Sequence, residues 1–149
     1  MNEKKYDVLK LENQLCFPLY ASSREVIKLY KPFLDRIDLT YTQYIAMMVL
    51  WEHRSVNVKE MGECLYLDSG TLTPLLKKME AKGLITRMRS EKDERNLIVG
   101  ITPKGEALRE EALAIPAGIV KCNPLSPQES MQLHALLYKL LNQIGEKQK

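Results

Sequence analysis

The sequence has no long apolar run: its hydrophobic stretches are short and broken by charges, so no transmembrane helix fits. Met1 to Lys10 is polar and lysine-rich with no apolar segment behind it, which argues against a secretion signal and for a cytoplasmic protein. There are three cysteines, Cys16, Cys64 and Cys122, with no C-x-x-C pair and no metal-ligand spacing. An odd count of this kind excludes a disulfide framework and leaves room for a reactive thiol. The two histidines, His53 and His134, stand isolated, so neither a zinc site nor any other metal centre is expected. No βαβ pattern, internal repeat or low-complexity segment is present, and no cofactor-binding fingerprint is found. At 149 residues the chain can build one domain with a real core.

The charge that is present is concentrated. Between Lys77 and Arg95 lie seven basic residues (Lys77, Lys78, Lys82, Arg87, Arg89, Lys92, Arg95) and four acidic ones, so this segment carries the whole net charge of +3. A basic patch suits a polyanion such as DNA, although on charge alone a solvated face is the better reading.

The apolar period is mostly helical. Leu15, Leu19, Val26, Leu29 and Phe33 form one stripe of a helix over Leu11 to Phe33. Thr40 with Gln43 forms a capping box for a second helix, and Asn57 with Glu60 opens a short third. A fourth reaches about Lys82, with Asp68, Ser69 and Thr71 all able to cap it and Gly83 to stop it. Pro74 is tolerable only in or near the first turn of that helix, which leaves its exact start open. Leu84 to Arg89 and Asn96 to Ile101 then read as two strands joined by a charged tip. Thr102-Pro103 begins a fifth helix, Ala117 to Leu125 is expected to be a break, and Ser126 with Glu129 opens a last helix reaching about Ile144.

The expected fold is mainly α with a small β-hairpin wing: a winged helix-turn-helix over residues 40–102. An N-terminal helix (1–39) and C-terminal helices (103–149) flank it as a dimerisation region. In such a domain the second short helix enters a major groove and the hairpin reaches the adjacent minor groove. The flanking apolar stripes need a partner. A second copy is the simplest, and a two-fold dimer would meet a palindromic site.

Leu67 to Glu80 (LDSGTLTPLLKKME), then AKGLI from Ala81, KDERN from Lys92 and the closure at Ile101-Thr102 with Gly105 resemble the MarR family of bacterial winged-helix regulators. Leu11 to Tyr44 is similar to the organic-hydroperoxide-sensing, OhrR-like branch of that family. The resemblance implies that Cys16 is the peroxide sensor and that Tyr30 and Tyr41 hydrogen-bond it across a dimer interface. It also implies that Cys122, standing where some members carry a second cysteine, bridges Cys16 of the other subunit. The implied protein is a homodimeric repressor that leaves a pseudo-palindromic operator in double-stranded DNA when an organic hydroperoxide oxidises it.

The residues themselves leave alternatives open. Cys16 is also one more small apolar residue in a helix stripe, and Cys64, near Met61 and Leu65, reads as structural. Tyr20, Tyr30, Tyr41 and Tyr44 all suit core or interface packing. No cation lies one turn from Cys16, so a reactive thiolate would need tertiary hydrogen bonds, for which tyrosine hydroxyls are good donors. On the DNA side, Ser69, Thr71 and Thr73 suit phosphates or base edges, and Lys77 and Lys78 suit phosphates. Arg87 and Arg89 are expected to face phosphate, Arg95 to enter a minor groove, and Asp93 to hold that arginine. Three other readings compete. A regulator controlled by a small phenolic or lipophilic ligand would release DNA under reducing conditions; a thiol peroxidase would turn peroxide over; an architectural protein would bind random DNA as well as palindromic DNA.

Overall fold

The computed structural model describes residues 3–147. After two short 3-10 segments (Glu3–Leu9 and Leu11–Asn13) come α1 (Cys16–Leu34), α2 (Tyr41–His53), β1 (Ser55–Asn57), α3 (Val58–Leu65) and α4 (Ser69–Ala81). They are followed by β2 (Ile85–Arg89), β3 (Leu97–Ile101), α5 (Pro103–Ala112), α6 (Ala114–Cys122) and α7 (Pro127–Lys147). The sheet is antiparallel in the order β1-β3-β2, with Val99 opposite both Val56 and Arg87. β1 is an addition to the expected hairpin, being too short to carry a period.

Local chemistry sets these boundaries. Thr40 Oγ1 accepts from the Gln43 N–H at 3.3 Å while the Thr40 N–H donates to Gln43 Oε1 at 3.1 Å, so both halves of the box form. Asn57 with Glu60 and Ser126 with Glu129 do the same for α3 and α7. Of the three residues able to cap α4, Asp68 does so, its Oδ1 accepting from the Thr71 N–H at 2.7 Å. Gly83 ends that helix at φ 74°, and the Gly83 and Leu84 N–H groups donate back to Glu80 and Met79 in a Schellman arrangement. Thr102 caps α5, with Pro103 as its first residue.

Because Asp68 is the cap, Pro74 falls just past the first turn of α4. Its missing N–H leaves the Gly70 carbonyl without a helical donor, but both residues are exposed and water can supply one. Ala117 to Cys122 is helical and not a break: only the stretch between α6 and α7 is irregular. Gly118 is there for packing, since a Cβ would overlap the Phe33 ring where α1 meets α6.

The core lies between α2, α3, α4 and the sheet. Met47, Leu50, Met61, Leu72, Leu76, Met79, Ile85 and Val99 are fully buried in it. Each such side chain contributes about 1.5–3 kcal/mol by leaving water. The outer helices differ sharply. α1 buries only Leu34, and Leu133, Leu136, Leu140 and Leu141 of α7 all stand exposed.

Candidate sensor and nucleic-acid interface

Cys16 is the first residue of α1 and is exposed, as are Cys64 and Cys122; all three are free thiols. Tyr30 lies fourteen residues along the same helix, about 21 Å away at 1.5 Å per residue. The protomer therefore keeps Cys16 away from Tyr30 and Tyr41. It also keeps Cys16 from Cys122. α6 packs against the Phe33 end of α1, which leaves the two Cα atoms more than about 10 Å apart, beyond the roughly 7 Å that a disulfide spans.

The tyrosines are brought to one another. The Tyr30 and Tyr41 rings meet edge to face with centroids 5.0 Å apart, and Tyr44 joins them at 6.0 Å and 6.4 Å. Trp51 extends the cluster from Tyr44 at 6.2 Å, and its indole N–H donates to the Gly105 carbonyl at 3.0 Å. Burial pushes all three tyrosine hydroxyls above their usual pKa, and the Tyr41 phenol adds to this at Tyr30. They remain protonated donors at neutral pH. Among the described residues, no side chain of the protomer hydrogen-bonds the Tyr30 or Tyr41 hydroxyl. Tyr44 and Trp51 extend this cluster beyond the two tyrosines that the resemblance singled out.

At the opposite end, α4 presents Ser69, Thr71, Thr73, Lys77 and Lys78 to solvent. The Thr73 hydroxyl donates to the Ser69 carbonyl at 2.8 Å, which fixes its rotamer and leaves its lone pairs open. Lys77 and Lys78 have no ion-pair partner among the described residues. The wing tip folds beside them. Asp93 Oδ1 accepts from the Arg95 backbone N–H at 3.0 Å, and its carbonyl from the Asn96 N–H at 2.9 Å. Asp93 thus shapes the backbone that carries Arg95 and does not hold the guanidinium, as had been expected.

Arg95, Ser69, Thr73 and Lys59 line one open groove of about 570 Å³ between α3, α4 and the wing. Lys59 had escaped notice because it lies outside the basic segment, on the capped first turn of α3. Two members of that segment turn inward. Arg87 donates through Nε and a terminal nitrogen to Glu80 Oε2 at 2.9 Å and 2.7 Å, so it meets a carboxylate where phosphate was expected. Lys82 reaches the Asp38 carboxylate at 3.1 Å. Arg89 stays exposed.

A family model described as transcriptional regulator SarA/Rot matches residues 28–112, more than half of the chain. The chain belongs to the SarA/Rot family of transcriptional regulators. It is 54% identical over 145 residues, 97% of its length and 99% of the relative's, to the organic hydroperoxide resistance transcriptional regulator of Bacillus subtilis. The resemblance to the hydroperoxide-sensing branch of the MarR-type regulators therefore holds. Among solved structures, reduced AbfR bound to DNA superposes with a TM-score of 0.79 at 32% identity, covering 97% of this chain and 99% of that one. The disulfide form of AbfR matches at 34% identity, over 95% and 99% of the two chains, with a lower TM-score of 0.63. This chain's fold is thus nearer the reduced, DNA-bound shape than the disulfide one.

Proposed function

We propose that this chain is a homodimeric repressor that holds a pseudo-palindromic operator when reduced and releases it when an organic hydroperoxide oxidises Cys16. The observation that carries the reading is the separation of Cys16 from the tyrosine cluster along one helix. The Tyr30 and Tyr41 hydroxyls keep their protons and have no side-chain hydrogen-bond partner among the described residues of their own protomer, and the α1 and α7 stripes are open for a second copy to supply Cys16. The Cys16 thiolate attacks one peroxide oxygen; the O–O bond breaks, an alkoxide leaves and is protonated to the alcohol, and Cys16 becomes a sulfenic acid. Where Cys122 of the second copy comes within reach, its thiol condenses with that sulfenic acid, forming a disulfide and releasing water.

In this reading Ser69, Thr71, Thr73, Lys77 and Lys78 meet one major groove, and Arg95, on the backbone organised by Asp93, meets the neighbouring minor groove. Residues 40–102 form the DNA-binding unit and the flanking helices the dimerisation region. The protein works in the cytoplasm, needs no cofactor and turns nothing over as a catalyst. The AbfR pair in reduced and disulfide forms supports a change of shape linked to thiol chemistry.

The test is a non-reducing gel of wild type, Cys16→Ser and Cys122→Ser after organic hydroperoxide, beside an operator-binding assay. A dimer band requiring both cysteines, appearing as DNA is released, is the expected result. Release that needs Cys16 but gives no band reduces the switch to one cysteine. Release by the Cys16→Ser protein overturns the reading.

A further inference from the structure

Lys82 is the C-cap of the recognition helix α4, and its ammonium reaches back to the segment that joins α1 to α2. Its Nζ donates to the Asp38 carbonyl, lies 3.1 Å from Asp38 Oδ2 and donates to Gln43 Oε1 at 3.4 Å. An ammonium has three N–H donors, and here three acceptors converge on it. They belong to two segments forty residues upstream. Asp38, at φ 52°, ends the turn that follows α1. Gln43, which is 3% exposed, is the buried half of the capping box that starts α2. The other end of the link is equally firm. The Lys104 ammonium donates to the Lys82 carbonyl at 2.7 Å and the Thr102 hydroxyl to the Gly83 carbonyl at 2.6 Å, so the end of α4 cannot drift independently.

Tyr41 is the first residue of α2, between the two halves of that capping box, and packs on Tyr30 and Tyr44. A displacement of Tyr41 moves the Thr40–Gln43 turn, and Lys82 is the one side chain that joins this turn to α4 by hydrogen bonds among the described residues.

We propose that Lys82 is a positioning residue that transmits the state of the tyrosine cluster to the recognition helix. This rests on the hydroperoxide-sensing reading above. A residue with only a structural role would weaken DNA binding of reduced and oxidised protein alike and leave their ratio unchanged. A coupling residue changes the ratio.

The experiment measures operator affinity of the full-length protein before and after organic hydroperoxide, with Cys16 thiol loss followed in parallel. Lys82→Met keeps the length of the side chain and removes its donors. We expect its reduced-to-oxidised affinity ratio to shrink by about tenfold while Cys16 oxidises at the wild-type rate. Asp38→Asn, which keeps a residue that tolerates the left-handed backbone, narrows the ratio in the same direction and decides the matter if Lys82→Met does not fold. A wild-type ratio in the folded variants overturns the coupling alone. A wild type that keeps its operator under hydroperoxide overturns the functional reading, and the coupling with it.

Discussion

The ring of Phe33 stands where a side chain at position 118 would be. A Cβ on Gly118 would lie 2.7 Å from Phe33 Cζ and 3.1 Å from Cδ1, closer than packed atoms tolerate. Gly118 is thus what lets α6 close on α1, and with it the end of α1 is fixed to the C-terminal region.

Two effects of opposite sign meet at Gly118→Ala. Alanine in mid-helix gains about 1 kcal/mol in propensity. Forcing a methyl group into the ring costs about 1–3 kcal/mol. Overlap wins, so thermal or denaturant unfolding of Gly118→Ala should show a loss of stability. In a Phe33→Ala background the overlap is gone and the same substitution should stabilise by about 1 kcal/mol. A loss of equal size in both backgrounds would show that the ring is not the obstacle.

The tyrosine cluster predicts alkaline behaviour. Burial, and for Tyr30 and Tyr44 the neighbouring phenols, raise these pKa values in the folded state. The stability that follows is fully present below the unfolded tyrosine value of about 10 and is lost as pH rises through the higher folded values. Tyrosinate absorbance should show Tyr30, Tyr41 and Tyr44 titrating above the ordinary tyrosine value, together with base-induced unfolding. Ionisation of these three near pH 10 in a still-folded protein would contradict the packing.

Most of the fold was legible because it rests on local rules. Thr40, Asn57, Asp68, Thr102 and Ser126 each announced a helix start through a hydrogen bond that spans only three residues. The failures came from distant partners. Gly118 looked like a break because the ring that makes it necessary is 85 positions away in the chain. β1 is three residues long and gains its identity only by pairing with β3. At the site, the basic segment was visible as composition, but Glu80 and Asp38 decide which of its cations remain free, and only the folded chain brings them to Arg87 and Lys82. The expectation that Cys16 is the sensor rests on resemblance alone, since Tyr30 lies about 21 Å along the same helix in its own protomer.

Asp68 gives a prediction in acid. The Thr71 backbone N–H, donating to its carboxylate, holds the Asp68 pKa below the usual aspartate range. The stabilisation by the ionised cap is present above the unfolded value and is lost as pH falls below about 4, through the lower folded value. Asn is as good a cap by geometry but carries no charge for the helix N-terminus. Asp68→Asn should therefore lower Tm slightly at neutral pH and match wild type in acid, whereas Asp68→Ala lowers Tm more. A pH-independent gap between wild type and Asp68→Asn would show that the charge contributes nothing.

The wing separates two arginines that were both expected to meet DNA, Arg87 at a phosphate and Arg95 in a minor groove. Arg95 is exposed at the tip, while Arg87 donates two hydrogen bonds to Glu80 and has only a fifth of its side chain exposed. Each phosphate charge that a bound cation neutralises, from the backbone or from within the minor groove, adds about 0.9 to the slope of log affinity against log salt, so Arg95→Ala on a dimer should flatten that slope by about 1.8. Arg87→Ala should leave the slope near its wild-type value and lower stability instead, because Glu80 loses its partner. Operator titrations over a series of salt concentrations decide between them. A slope that falls equally for both variants would mean that the Glu80 pair opens on DNA and that Arg87 meets phosphate after all.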